Sequence, residues 1–248
     1  MSGEGLTARG LTAGYAGRVI VEDVTFSVAR GEVLALLGHN GAGKSTLLRA
    51  LFGLLPGRRG QVSVAGRSLD GLPPRGVLAA GLAYVPQERS VFPRLTVAEN
   101  LRMGAYSLTD RGVLAQRMEA ALDLFPRLRE RRDQLAGTMS GGEQRMLEVA
   151  RTLLLDPAAV MLDEPSIGLS PQMARSVFDV IRALADGGRA VLLVEQSVTR
   201  ALAVSDRALV LEMGRTVLED RASALAEDDR LAQLYMGAAG KAFGSPGR

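Results

Sequence analysis

The sequence predicts an α/β fold, on three observations. Val33-Leu34-Ala35-Leu36-Leu37 is a continuous apolar run, as in strands buried on both faces, and a glycine-rich loop and a helical pattern over 44–54 follow it at once. The alternation of strand and helix resumes near residue 160 and continues to about 218. Between them, 88–152 reads as mainly helical, an insert in an otherwise alternating pattern.

The elements follow in chain order. Val24-Thr25-Phe26-Ser27-Val28 alternates like a half-buried strand, and Arg30-Gly31-Glu32 turns the chain into the 33–37 strand. Leu82-Ala83-Tyr84-Val85 is a short strand closed by Pro86. Thr96-Val97-Ala98-Glu99 is a capping box that opens a helix to about 106. Across 113–125, Val113, Leu114, Met118, Ala121, Leu122 and Phe125 fall at helical spacing. Val160-Met161-Leu162 is a buried strand. Ser170-Pro171 caps a helix with one apolar face, Met173, Val177, Val180, Ile181 and Leu184, which Gly187-Gly188 stops. A strand over 190–194, a helix over 198–204 and a hairpin of 208–211 with 216–218 across Met213-Gly214 complete the pattern. The Gly- and Ala-rich stretch 237–248 is expected to be a flexible tail of a single 1–248 domain.

Composition removes several function classes. There is no cysteine, which excludes disulfides, thiolate chemistry and Cys-based zinc sites. No apolar run approaches the roughly 20 residues that span a bilayer, and Met1-Ser2-Gly3-Glu4-Gly5 lacks a signal-peptide pattern. A net charge of +3 is too small to argue for nucleic acid. Among the arginines, Arg127, Arg129, Arg131 and Arg132 read as a solvated helix end rather than a phosphate patch. Lysine occurs only at Lys44 and Lys241, and the first lies inside the glycine-rich loop.

That loop, Gly38-His39-Asn40-Gly41-Ala42-Gly43-Lys44-Ser45-Thr46, has the spacing and the strand–loop–helix context of a phosphate-binding loop. Glycines let successive backbone N–H groups turn inward around an anion. Lys44 is placed to reach β- and γ-phosphates, and the Ser45 hydroxyl to hold Mg²⁺. The helix from Lys44 adds the positive end of its dipole. His39, the one histidine, reads as a spacer whose backbone does the binding. Asp163-Glu164 ends a buried strand, so Asp163 can hold the Mg²⁺ shell while Glu164 polarises a water at the γ-phosphate.

With Ser140-Gly141-Gly142-Glu143-Gln144 ahead of Asp163-Glu164, the chain resembles the nucleotide-binding subunits of ABC transporters over about residues 6–236. The resemblance implies a phosphate-loop (RecA-like) core with an N-terminal antiparallel β-subdomain and the helical insert at about 88–152. It implies ATP held by Tyr15 against adenine and by Gly38, Asn40, Gly41, Ala42, Gly43, Lys44, Ser45 and Thr46 around the phosphates. Mg²⁺ falls to Ser45, Gln87 and Asp163, and catalysis to Glu164, Gln87 and Gln196. Ser140, Gly141, Gly142 and Glu143 would close over ATP bound by a second ATPase subunit, in a head-to-tail dimer that is homo- or heteromeric. Permease subunits in the membrane, an extracytoplasmic solute-binding protein and a peripheral place on the cytoplasmic face of the inner membrane follow from the same resemblance.

A finer resemblance rests on the segments 85–97, 163–171 and 193–197. They are similar to the second, shorter ATPase type of the branched-chain amino acid importers, with urea and short-chain amide importers as close relatives. Two positions depart from the general ABC pattern: Gln196 stands for a histidine and Ser170 for an aspartate. Glutamine donates a hydrogen bond but carries no charge, although this subtype tends to have it there. A non-transport ABC ATPase is the other class weighed. Strand-break repair members need a long coiled coil between phosphate loop and signature, for which Lys44 and Ser140 are too close. Translation-factor members carry two cassettes, whereas this chain carries one. A binding-only regulatory half fits Gln196 but not an intact Glu164.

Overall fold

The computed structural model describes residues 3–236, so the tail expected at 237–248 lies outside the described residues. An antiparallel sheet is built from β1 (Glu4–Tyr15), β2 (Arg18–Ala29), β4 (Arg59–Val64) and β5 (Arg67–Ser68), in the order β2-β1-β4-β5. A mixed sheet takes β3 (Val33–Leu37), β6 (Leu82–Val85), β7 (Ala159–Asp163), β8 (Ala190–Val194), β9 (Arg207–Glu212) and β10 (Arg215–Arg221), in the order β10-β9-β3-β8-β7-β6. All its pairs are parallel except the β9–β10 hairpin.

Helices α1 (Lys44–Leu51) and α2 (Pro74–Ala80) precede β6. Between β6 and β7 the chain forms α3 (Val97–Gly104), α4 (Arg111–Leu124), α5 (Pro126–Glu130) and α6 (Gly141–Leu153). The rest are α7 (Pro171–Asp186), α8 (Val198–Val204), α9 (Ala222–Ala226) and α10 (Asp229–Met236).

Parallel strands covered on both faces must be apolar throughout, and β3, β7 and β8 are buried at every position. Successive side chains point to opposite faces. Thus Leu34, Leu36, Met161, Leu192 and Val194 pack with α1 and the antiparallel sheet, while Val33, Val160, Leu162, Val191 and Leu193 pack with α3–α7. Ala35 and Leu37 meet a third cluster from α8, α9 and α10.

The caps stand where the sequence puts them. Thr96 and Glu99 form both halves of a capping box on α3, and Ser170 accepts the Met173 N–H at the start of α7. Several boundaries move: β2 runs over 18–29 rather than 24–28, and β10 over 215–221 rather than 216–218. α1 stops at Leu51 because Gly53 takes φ +76° and Leu54 N–H bonds back to the Arg49 carbonyl. α3 ends at Gly104 rather than near 106, and α4 starts at Arg111 because Asp110 accepts the Gly112 and Val113 N–H groups. The sequence pattern left β1, β4, β5, α2, α9 and α10 unassigned. β1 is interrupted by bulges that break its alternation, and the short helices carry too few turns to show a period.

Candidate nucleotide site

Four neighbouring strands end at one edge of the mixed sheet, and each delivers polar residues there. β3 runs into the loop at 38–43, β8 into Glu195-Gln196, β7 into Asp163-Glu164 and β6 into Pro86-Gln87. Adjacent strands lie about 4.8 Å apart, so residues remote in sequence become neighbours. The carboxyl ends of parallel strands are where such folds bind ligands. A cleft of about 510 Å³ opens there, lined by Tyr15, Ile20, Asn40, Gly41, Gly43, Lys44, Ser45, Thr46, Gln87, Glu164, Ile167 and Gln196.

The loop requires glycine at two points. Gly38 sits at φ +151°, and a Cβ there would lie 2.3 Å from the Leu211 carbonyl oxygen. Gly43 sits at φ +107°, with Val21 3.1 Å from any added Cβ. Gly43 is also the N-cap of α1 and offers no side chain to its first N–H groups, which leaves them for an anion. The buried Lys44 ammonium donates to the Gly38 and His39 carbonyls at 2.6 and 3.1 Å. Burial pushes the Lys44 pKa down, while Glu164 and Asp163 pull it back.

Asp163 is only 3% exposed, and its Oδ1 has no hydrogen-bond partner among the described residues. Its Oδ2 accepts from the Tyr84 hydroxyl at 3.2 Å. Burial pushes the Asp163 carboxyl above the usual range, against the Tyr84 and Ser45 hydroxyls, Arg145 and Lys44. Burial, followed by Asp163, drives the Tyr84 phenol up, so Tyr84 stays a donor. Glu164 holds a left-handed φ of +47°, a conformation that costs about 1–3 kcal/mol and persists only when its surroundings hold it. Its N–H bonds to the Val194 carbonyl at 2.9 Å, and its Oε2 accepts from Gln87 Nε2 at 3.0 Å.

Tyr15 lies at the rim, 42% exposed, its hydroxyl accepting from Arg49 at 3.3 Å. Gly38 and Ala42 are part of the loop but do not line the cleft. Neither do Ser140, Gly141, Gly142 and Glu143. Ser140 caps α6, accepting the Glu143 N–H at 3.4 Å, while Glu143 Oε2 accepts the Ser140 N–H at 2.9 Å. Burial works against the Glu143 charge, yet these bonds and Arg131 at 3.1 Å hold its carboxyl below the ordinary range. The arginine-rich stretch is a solvated helix end: Arg129 pairs with Glu119 and Asp123, and Arg132 with Glu119.

Other residues join the site without a motif to announce them. Arg145 and Glu148 of α6 form a buried ion pair at 3.0 Å. Arg145 also donates to the Pro86 carbonyl at 2.5 Å and the Asp163 carbonyl at 2.7 Å, and Glu148 accepts the Ser90 N–H. One helix thereby ties the Gln87 loop to the Asp163 strand. Charged residues at 145 and 148 inside the apolar pattern of α6 were the available signal. The His39 ring packs on Tyr235 of α10 at 4.8 Å between centroids, and its Nε2–H bonds to the Leu234 carbonyl.

The family model for ABC transporters matches residues 21–167, which span the phosphate loop and Asp163-Glu164. The high-affinity branched-chain amino acid transport ATP-binding protein BraG of Pseudomonas aeruginosa is 45% identical over 90% of this chain and 96% of its own. The chain belongs to the ABC transporter family. It is an ABC transporter ATPase, which binds ATP, couples its hydrolysis to transport and works with permease subunits. Further relatives of this ABC ATPase are the probable branched-chain amino acid transport ATP-binding protein LivF of Archaeoglobus fulgidus, 43% identical over 92% of this chain and 96% of its own, and the lipopolysaccharide export system ATP-binding protein LptB of Escherichia coli, 34% identical over 94% and 97%. A solved ATP-binding subunit of an ABC transporter superposes with TM-score 0.79 at 30% identity, covering 93% of this chain and 98% of that one. An ADP-bound cassette at 24% identity, covering 94% and 99%, shows the same fold with TM-score 0.85. Among the described residues, no helix of this ABC ATPase is long and apolar enough to cross a membrane.

Proposed function

We propose that this chain energises a branched-chain amino acid importer, hydrolysing ATP in the cleft at the strand ends. The observation that carries the reading is the meeting of Lys44, Glu164, Gln87 and Gln196 around one cleft in a chain over 40% identical to two such transport subunits. Tyr15 stacks on the base, the 38–46 loop and Lys44 take the phosphates, and Glu164 draws a proton from the attacking water. Gln87 orients Glu164 through their bond, and Gln196 donates to the γ-phosphate.

The residues fit Mg²⁺. Asp163 offers a buried, unpartnered oxygen beside the Ser45 hydroxyl, and Gln87 lies across the cleft. Among the described residues there is no cluster of three or more His, Asp or Glu side chains to form a protein cage. That suits an ion bound through one or two carboxylates plus substrate phosphates. Bound there, Mg²⁺ neutralises phosphate charge; this chain's part is to place Asp163 and Ser45.

Ser140 and Gly141 begin α6 outside the chain's own cleft, a helix start suited to the ATP of a second ATPase subunit arranged head to tail. The chain then works as one nucleotide-binding domain with a helical insert over 88–152. Residues 88–94 meet the permease, which holds the subunit on the cytoplasmic face of the membrane. Phe92 is 42% exposed there and backed by the Arg151 guanidinium 5.4 Å from its ring. A solute-binding protein outside the membrane supplies the amino acid.

The test is uptake of labelled leucine in cells lacking the gene, rescued by wild type or by Glu164→Gln, with ATP binding and turnover measured on the purified chains. Uptake restored by wild type alone, and an ATP-binding variant without turnover, are the expected results. Normal uptake without the gene refutes the substrate, and unchanged turnover in Glu164→Gln refutes the base.

A further inference from the structure

Past the last β7–β8 pair, Asp163 with Val194, backbone pairing between the strands ends. The Glu164 N–H makes the last backbone bond of that ladder, to the Val194 carbonyl; beyond it, the segments leading from Glu164 and to Gln196 share no backbone hydrogen bond among the described residues. What bridges them is Glu195, a side chain only 2% exposed. Its Oε1 accepts the Ser166 N–H and its Oε2 the Ser166 hydroxyl, both at 2.9 Å. Ser166 is itself 6% exposed and lies two residues after Glu164, while Glu195 immediately precedes Gln196.

We propose that Glu195 is a positioning residue: its two-point bond to Ser166 fastens the Glu164 loop to the strand end that carries Gln196, fixing the spacing of the two across the γ-phosphate. Two bonds from one planar carboxylate set direction as well as distance, which a single bond does not. The need is visible at Glu164, whose left-handed backbone requires the next residues to be held. The arrangement also works against stability, since burial pushes the Glu195 carboxyl up and the nearby Glu164 adds to it, against the bonds from Ser166 and from the Gln196 backbone. A carboxylate kept in so unfavourable a place is better accounted for by geometry at the site than by packing. The inference rests on the reading of Glu164 as base and Gln196 as γ-phosphate donor.

The experiment measures kcat, affinity for a fluorescent ATP analogue and melting temperature for full-length Glu195→Ala, Glu195→Gln, Ser166→Ala, the Glu195→Ala/Ser166→Ala double variant and Glu164→Gln. A misplacement near 1 Å costs on the order of 10²-fold in rate. Glu195→Ala is therefore expected to lose about that factor in kcat with analogue affinity kept. Glu195→Gln, which still accepts the Ser166 N–H while the hydroxyl turns to accept its amide, recovers most of the rate. The double variant is no worse than Glu195→Ala, because both changes remove one shared contact. If Glu195→Ala does not fold, Ser166→Ala decides, by a lowered kcat at unchanged affinity. The proposal is overturned if kcat is untouched, or if kcat and affinity fall only in step with melting temperature. Turnover surviving in Glu164→Gln brings down the reading of the site and this inference together; turnover abolished there but kcat intact in Glu195→Ala removes this inference alone.

Discussion

Replacing Arg145 by Met removes a guanidinium whose side chain is 7% exposed and which serves three acceptors: Glu148, the Pro86 carbonyl and the Asp163 carbonyl. The apolar stem is kept, so the packing loss is small. What is lost is the partner of a carboxylate that is 1% exposed and cannot turn to water. Breaking a buried pair from one side costs about 3–5 kcal/mol, and two carbonyls without donors push the loss toward the upper end. For a chain of this size about 2–4 °C of melting temperature goes with each kcal/mol, so the drop is ~6–20 °C. Glu148→Gln also leaves the Arg145 charge unpaired and turns an amide N–H₂ towards it, although the amide oxygen still accepts the Ser90 N–H and Arg145 keeps both carbonyls. Thermal and urea unfolding followed by circular dichroism measure both. A fall in Arg145→Met of less than about 1 kcal/mol, the scale of an exposed pair, would refute the claim that α6 is bolted to the site through a buried charge.

Other outcomes follow from the same geometry. Asp163→Asn should melt higher than wild type without nucleotide at neutral pH. A carboxyl raised by burial holds its proton more tightly folded than unfolded, so its charge destabilises the fold above the ordinary carboxylate range and not below. The difference should close as pH falls towards about 4; a gap independent of pH contradicts the sign. Tyr84→Phe removes the hydroxyl that orients Asp163 and should raise the Mg²⁺ concentration needed for nucleotide binding by about 10–100-fold, read by Mg²⁺ titration with a fluorescent nucleotide. Gln196→Ala should slow turnover by ~10²-fold with affinity kept; an unaltered rate makes Gln196 a bystander.

The phosphate loop, the Asp163-Glu164 pair and the caps at Thr96 and Ser170 were legible because each is a local pattern with a local cause. The continuous apolar strands were legible because burial on both faces leaves no other composition. The ties among Arg145, Pro86, Asp163 and Glu148 were not, since each joins segments far apart in sequence and no spacing rule relates them. Glu195 reads in isolation as one more acid after a strand, and only its burial against Ser166 separates it from a solvated residue. β1 escaped notice for a different reason: its bulges break the alternation by which a half-buried strand is recognised.

The stacking of His39 on Tyr235 gives the phosphate loop a reporter of its own. The chain has one histidine and no tryptophan, so a proton spectrum carries a single imidazole Hε1 resonance, and it comes from inside the loop. The tyrosine ring 4.8 Å away, tilted by 33°, displaces that resonance from its free position by its ring current. Nucleotide arrival and movement of α10 each change its position or width, with no label attached and no residue replaced.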